Sequence, residues 1–199
     1  MRTVTATADS FAEALTRVRS VRIRPEFRVD EAPAPARLAP FAFALTVESS
    51  NPDEDLVSGR FVLLHDPDGV DEWGGTFRSV VFVRAAVEPD VVSDPMLHEV
   101  GWSWLIDALD ATGARAVQIG GTVTRTAGQS FGSMHDRPSE GFVEIRASWT
   151  PAAIDGRGVE SDMDRHAQAW VELLSHAAGL TPIPRGVASL GTSRLRSRA

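Results

Sequence analysis

The sequence predicts an α+β domain: a single, mostly antiparallel sheet with helices packed on it, in the order α-β-β-β-α-β-β-α. Apolar residues alternate in five segments, they recur at helical spacing in three others, and the links within each strand group are too short for a parallel crossover. The 199 residues suit one domain. We expect a flexible N-terminus at 1–9, the folded domain at 10–184 and a flexible, Arg-rich tail at 185–199.

The first half of the chain is predicted to hold one helix and three strands. Ser10 and Glu13 form a capping box, so the first helix is expected to begin at Ser10. Pro33, Pro35 and Pro40 indicate an extended linker. Apolar runs then predict strands at 41–48, 56–65 and 76–87, and the sequence Asp-Pro-Asp-Gly at 66–69 predicts a tight turn.

The second half is predicted to hold two helices and two strands. Asp94 and Pro95 are typical of a helix start, and Gly113 is typical of its end. Strands are expected at 115–126 and 143–149, and a third helix from 161 or 162 to 178. This order of elements is similar to the topology of secretion-chaperone-like domains, from which we expect, by analogy, a protein-binding role.

Three residue types are missing, and their absence excludes several kinds of chemistry. The chain has no Cys, no Tyr and no Lys, so all twenty basic residues are Arg. Thiolate metal sites, iron–sulfur clusters, cysteine nucleophiles and lysine Schiff bases are therefore excluded. The five His are dispersed without the spacing of metal ligands. We expect neither a metal nor another cofactor.

Charge is distributed unevenly along the chain. Residues 29–184 hold ten Arg against twenty-four acidic residues, whereas 1–28 and 185–199 carry net charges of +3 and +4. Because phosphate neutralisation dominates nucleic-acid affinity, we expect no nucleic-acid binding except through the Arg-rich ends. No apolar run approaches the length that spans a bilayer, and the N-terminus lacks an export signal. A cytoplasmic protein without membrane contact is expected.

Several segments together carry a resemblance to a known family. They are 59–69 (GRFVLLHDPDG), 73–78 (WGGTFR), 94–97 (DPML), 100–105 (VGWSWL), 121–125 (GTVTR), 130–134 (SFGSM) and 144–151 (EIRASWTP). Over about residues 10–190 the chain resembles the actinobacterial domain-of-unknown-function family 3000. The resemblance implies a cytoplasmic actinobacterial protein. It implies no activity, cofactor or catalytic residue, because none is established for the family.

The glycine-rich loop predicted at 127–141 is the first candidate site. A structureless loop of this length is typical of a functional or a disordered segment. It contains Ser130 and His135, and Asp136 and Arg137 directly follow the histidine. These side chains suit acid–base catalysis or the binding of an anion. A solvated surface loop and a partner-binding loop are the alternatives. Catalysis would require His135 and Asp136 to meet Arg78 or Arg125 in one pocket.

Arginine and tryptophan side chains form the second candidate site. Arg78 and Arg84 share one face of the third predicted strand, opposite Phe77, where they are exposed for binding or covered by a helix. Trp73 and Trp102 are candidate interface anchors, since Trp and Arg are enriched at binding hot spots.

The other three tryptophans are expected in the core: Trp104, Trp149 and Trp170. The offset of two residues places Trp102 about 160° around its helix from Trp104, so one face does not bury both.

These observations favour a non-enzymatic protein-binding or adaptor domain with a chaperone-like topology, for which a protein partner is expected and a homodimer is one option. A small-molecule or hydrolase-type enzyme centred on the 127–141 loop is the first alternative. An RNA-processing accessory protein that uses the Arg-rich ends is the second.

Overall fold

The computed structural model describes residues 2–35, 37–51, 56–154 and 156–181, with side chains described from residue 9 onward. These residues form four α-helices and six strands. In chain order the elements are α1 (Arg2–Arg19), β1 (Phe27–Ala32), β2 (Phe41–Ser49), β3 (Val57–Val70), β4 (Gly75–Ala86), α2 (Pro89–Ser93), α3 (Leu97–Thr112), β5 (Ala116–Gly128), β6 (Glu140–Pro151) and α4 (Met163–Ala177). The predicted Arg-rich tail at 185–199 lies outside the described residues.

All six strands belong to one antiparallel sheet with the order β1-β2-β3-β4-β6-β5. The predicted fold class, α+β with a single antiparallel sheet, is confirmed. Helices α2 and α3 connect β4 to β5, and β6 then returns to pair with β4. Strand β5 consequently lies at one edge of the sheet and β1 at the other.

Helices α1, α3 and α4 pack on one face of the sheet and build the main core with it. Side chains alternate between the two faces of a strand, and β4 is buried at every second residue accordingly. Trp149 and Trp170 are fully buried, as predicted, and Trp170 packs on Phe61 with ring centroids 5.7 Å apart. Large aromatic side chains of this kind contribute most of the apolar area that folding removes from water.

The opposite face carries a small second cluster, made by Ala44, Val62 and Leu64. Within the described residues, the side chains that cover it are Trp73 and two alanines of the 33–39 segment, Ala34 and Ala39, rather than a helix. Of β4, Val80 packs against this cluster, whereas Arg84 farther along the strand is exposed. The fold therefore has one face enclosed by helices and one face largely open.

The prediction of five strands is wrong, because Phe27–Ala32 forms a sixth. Phe27 and Val29 point into the core, while Arg28 and Asp30 are exposed. An edge strand with two apolar residues among charged ones has a weak period-2 signal, and its pairing with β2 stabilises it instead.

The turn predicted at 66–69 is also displaced. Strand β3 continues to Val70, and the hairpin closes over residues 71–74, with Val70 paired to Gly75. The backbone N–H of Asp68 does bond to a carboxylate oxygen of Asp66, at 3.1 Å, as such turns require. The pairing of β3 with β4 is irregular between His65 and Val70 and resumes at Val70. The local turn therefore interrupts the strand pairing without ending the strand.

Helix α1 begins at Arg2 instead of Ser10, so residues 2–9 belong to the helix and Ser10 lies inside it. Helix α3 begins at Leu97, two residues after the predicted position, and the carboxylate of Asp94 accepts a bond from the N–H of Met96 at 2.8 Å. The short helix α2, absent from the prediction, precedes it. The predicted helix end at Gly113 is confirmed by its left-handed conformation. Among the described residues, no helix is both long enough and apolar enough to cross a membrane.

A buried hydrogen bond joins α4 to the sheet. The indole N–H of Trp149 donates to Nδ1 of His166 at 3.0 Å, and both side chains are almost wholly buried. Burial, with a smaller contribution from the neighbouring Arg165, lowers the pKa of His166 to about 4. His166 is therefore neutral at pH 7, and only the neutral ring can accept this bond.

We expect His166 to make the fold sensitive to acid. Its pKa is lower in the folded chain than the ordinary 6.5, so the unfolded chain binds more protons as the pH falls from about 6.5 towards 4. Stability is fully present above pH 6.5 and should decrease by about 3 kcal/mol across this interval. Urea unfolding measured at several pH values tests this, with His166→Gln as the variant that keeps an acceptor and does not titrate.

The matched control is His98→Gln, an exposed histidine on α3. Between pH 6.5 and 4, the free energy of unfolding of His166→Gln should decrease less than that of the wild type. Some decrease should remain, because burial also lowers the pKa of His65. Identical pH profiles for the two variants would contradict the assignment.

Two adjacent glycines in β5 should differ sharply in their tolerance of alanine. A Cβ at Gly121 would lie 2.8 Å from Cα of Ala147 and against the carbonyl of Arg146, whereas a Cβ at Gly120 meets nothing within 4 Å. We expect Gly121→Ala to lower the free energy of unfolding by about 1–3 kcal/mol, because backbone must move. Gly120→Ala should change it by less than about 0.5 kcal/mol in the same urea titration.

Candidate functional site

The open face of the sheet carries an unusual concentration of arginine. Strand register places Arg60 beside Phe82 and Phe82 beside Arg146 across three neighbouring strands. The adjacent rows place Arg84 beside Glu144, and Arg78 beside Leu64. We call this surface the arginine face and define it by eight residues: Arg60, Val62, Arg78, Val80, Phe82, Arg84, Glu144 and Arg146.

Two adjoining depressions lie on the arginine face. The first has a volume of about 420 Å³ and is lined mainly by Arg60, Val62, Val80, Phe82 and Arg146. The second, of about 370 Å³, continues from Val80 and Arg146 towards the Gly120–Gly121 stretch of β5. Both depressions are open to solvent and share Val80 and Arg146, so they form one broad surface rather than an enclosed pocket.

The arginine face is positively charged although the chain as a whole carries −7. Its one carboxylate, Glu144, serves two arginines: it lies 3.0 Å from Arg146 and 3.7 Å from Arg84. Among the described residues, no carboxylate lies within 4.0 Å of Arg60 or Arg78. Four guanidinium groups therefore face one carboxylate, which leaves three positive charges uncompensated.

Aromatic rings hold two of these guanidinium groups against the sheet. The guanidinium carbon of Arg84 lies 4.0 Å from the ring centroid of Phe142, and that of Arg146 lies 5.3 Å from the centroid of Phe82. Cation–π contacts of this kind orient an arginine without consuming its N–H donors. Apart from the bond that Arg146 donates to Glu144, at 3.0 Å, these contacts leave N–H donors of both arginines to an incoming acidic group.

Arg78 differs from its neighbours because its donors are already used. One nitrogen, Nη1, donates to the carbonyl of Gln118 and to the hydroxyl of Thr150, both at 3.0 Å, and Nη2 donates to the hydroxyl of Ser148 at 2.7 Å. Partial burial lowers the pKa of Arg78 from its usual high value.

These bonds fasten an irregular part of the sheet. Gln118 lies in the bulge of β5 and has a left-handed backbone, with φ of 51°. The hydroxyl of Thr150 donates in turn to the carbonyl of Trp73, at 2.6 Å, in the β3–β4 turn. Arg78 thus joins the β5 bulge to that turn and acts first as a structural residue. Arg60, by contrast, donates one bond, to the carbonyl of Pro33 at 2.5 Å.

The structure brings together three of the residues predicted from the sequence and separates the others. Arg78, Arg84 and Trp73 all lie on the open side of the sheet, with Trp73 half-buried in the small cluster. Trp102 is half-buried against the main core, as is Trp104, so neither is a free anchor.

Arg125 lies on the helix-covered side of the sheet. It donates to the carbonyls of Val92 and Asp94 at 3.1 and 2.6 Å, and so fixes α2 and the start of α3 on the sheet. Its role is therefore to position these helices. The arginines of the open face lie on the other side of the same sheet.

The loop predicted at 127–141 is shorter than expected, because β5 extends to Gly128 and β6 begins at Glu140. His135 and Asp136 lie 2.9 Å apart, but their side chains are 70% and 90% exposed. Arg137 is also exposed. None of the bonds that Arg78 or Arg125 makes involves these residues, so the convergence that catalysis would require is not found among the described residues.

Sequence reasoning missed Arg60, Arg146 and Glu144. Alternation does place Arg60 on the same side as Val62, and Arg146 on the same side as Ser148. What the sequence does not contain is the pairing of β6 with β4, which brings these residues together. Among the described residues, no three His, Asp or Glu side chains are grouped so that they could hold a metal ion.

Fold and surface together define a class: α+β proteins with one antiparallel sheet, covered by helices on one face and open on the other. Within that class, the chain belongs to the family described as protein of unknown function (DUF3000), whose model matches residues 7–188. The resemblance inferred from the sequence is thereby confirmed. No curated protein and no solved structure matches the chain.

Two arginines of the arginine face should differ in their effect on stability. Replacing Arg78 with Met removes donors from three oxygen atoms, two of them hydroxyls in the sheet, and we expect a loss of about 1–3 kcal/mol in the free energy of unfolding. Arg60→Met removes one bond from a half-buried side chain and should cost less than about 1 kcal/mol. Urea unfolding compares the two variants. Equal losses would show that Arg78 has no special structural role.

Proposed function

We propose that the protein is a non-enzymatic binding domain that presents the arginine face to an acidic surface of another protein. The observation that carries this proposal is the placement of four arginines and one glutamate around Val62, Val80 and Phe82 on a sheet face that the described helices leave open. Arginine and aromatic residues are enriched at protein interfaces, and complementary charge steers association.

Binding fits this surface better than chemistry does. A general base needs a carboxylate or imidazole that is free to exchange a proton. Glu144, the carboxylate of the arginine face, is already paired with Arg84 and Arg146. The depressions are broad and shallow, whereas sites for small molecules usually enclose their ligand.

Charge also indicates what kind of partner the face accepts. Uncompensated guanidinium groups favour carboxylates, and the apolar strip between them favours aliphatic or aromatic side chains beside those carboxylates. A second copy presenting the same face is disfavoured, because like charges would meet across the interface. Nucleic acid is disfavoured by the net charge of −14 carried by residues 29–184.

Charge removal on the arginine face should abolish partner binding. We expect tagged wild-type protein to retain an acidic partner from a lysate of its source cells, identified by mass spectrometry. The double variant Arg60→Glu/Arg146→Glu should lose that partner, because attraction becomes repulsion. The neutral double variant Arg60→Gln/Arg146→Gln should lose at least about 90% of it, and it avoids a new repulsion with Glu144.

The matched control is Arg17→Glu/Arg22→Glu, which changes the total charge equally at two exposed positions away from the arginine face. It should retain the partner at the wild-type level. If the partner were lost equally from the control, general electrostatics would explain the binding. If it were retained by both arginine-face variants, the proposed surface would be wrong.

A further inference from the structure

The outer edge of β5 is a second surface that remains open. Strand β5 spans thirteen residues and, among the described residues, pairs on one side only, with β6. Most of its side chains are exposed. The backbone N–H and C=O groups along an unpaired edge can accept a further strand.

This edge lacks the features that usually prevent strand addition. In residues 121–128 the one charged side chain is Arg125, which points to the helix side and is bound to the carbonyls of Val92 and Asp94. The β5 bulge disturbs the ladder only between Val117 and Gly120. The opposite edge strand, β1, carries Arg28, Asp30 and Glu31 and is protected by those charges.

Exposed apolar side chains gather around the same edge. Within the described residues, eight large apolar side chains are exposed, and Leu38 is the one that lies elsewhere. The other seven are on β5, on α2 and the start of α3, or in the β5–β6 loop: Val91, Met96, Val100, Val117, Ile119, Phe131 and Met134. Apolar side chains are therefore exposed along this edge and on the elements that adjoin it.

The helical flank above the edge is acidic. Residues 87–113, which include α2 and α3, contain six acidic residues and no Arg or Lys: Glu88, Asp90, Asp94, Glu99, Asp107 and Asp110. A strand that pairs with β5 would run beside this flank. Its charge therefore favours a segment that is basic, free of acidic residues and partly apolar.

The chain itself contains such a segment. Residues 182–199 follow the described part of the chain and carry four Arg, no acidic residue and the large apolar residues Ile183, Val187, Leu190 and Leu195. Their positive charge is repelled by the arginine face. We propose that residues 182–199 dock along the outer edge of β5 as a seventh strand, held by backbone hydrogen bonds and by salt bridges to the α2–α3 flank.

The length of the segment permits this placement. The described chain ends at Thr181, whose carbonyl accepts a bond from Arg24 at 2.8 Å, close to the start of β1. Crossing six strand spacings from β1 to a position outside β5 takes about 30 Å. Eighteen extended residues span about 60 Å, so roughly half of them remain for pairing.

Amide hydrogen exchange of residues 121–128 tests the proposal. Along a paired edge, alternate amides bond to β6 and the others face outward. In the wild-type chain both sets should be protected. In Arg196→Glu/Arg198→Glu the outward amides should exchange at least about tenfold faster, while the β6-bonded amides keep their protection and show that the sheet is intact.

The control Arg17→Glu/Arg22→Glu changes the total charge equally and should leave both sets protected. Three results would overturn the proposal: outward amides unprotected in the wild type, protection unchanged in Arg196→Glu/Arg198→Glu, or protection that rises with protein concentration. The third would mean that a second copy covers the edge. None of these outcomes depends on the partner of the arginine face, so the two proposals fail separately.

Disulfide trapping gives an independent measurement, since the chain has no Cys of its own. Oxidation of Thr124→Cys/Leu195→Cys should give a cross-linked monomer, because the tail would lie beside β5. The matched variant Thr46→Cys/Leu195→Cys, with its first cysteine in β2, should stay reduced. Equal cross-linking in the two variants, or cross-linked dimers alone, would contradict docking within one chain.

Discussion

The pairing of β6 with β4 is the constraint on which the rest of this structure depends. It joins two strand groups that are separated in the chain by α2 and α3, and it places those helices on the same face as α1 and α4. Because side chains alternate along each strand, covering one face commits Val81, Val83 and Ile145 to the core and leaves Val80, Phe82 and Arg146 outside. The open face and the free edge of β5 both follow from this pairing.

Electrostatics divides the molecule in the same way. The arginines of β3, β4 and β6 gather on the open face, and the acidic residues of α2 and α3 flank the opposite side of the sheet at β5. The role of each arginine depends on its position. The guanidinium group of Arg78 donates hydrogen bonds to three oxygen atoms and stabilises the β5 bulge. Arg60 uses one bond and stays available. One residue type therefore serves structure and binding on the same face.

The helix and strand periods in the sequence correctly predicted most elements, the antiparallel class and the end of α3 at Gly113. Local signals failed where pairing outweighed them. Asp66 forms its turn bond inside β3, Ser10 lies within a helix that starts at Arg2, and Phe27 with Val29 is too weak a pattern to reveal β1. In each case a long-range ladder or a continuing helix stabilises a conformation that the local residues do not select by themselves.

The sequence by itself determined the fold class, the family, the excluded chemistry and the fact that Arg78 and Arg84 share a strand face, since these depend on composition and on a period of two residues. Tertiary structure alone decided that this face stays open and that Arg60 and Arg146 lie on it. It also decided that Arg125 binds a carbonyl of α2 instead of lying on the open face. The physical reason is that strand order and helix placement arise from contacts between residues far apart in the chain, and no local pattern encodes them.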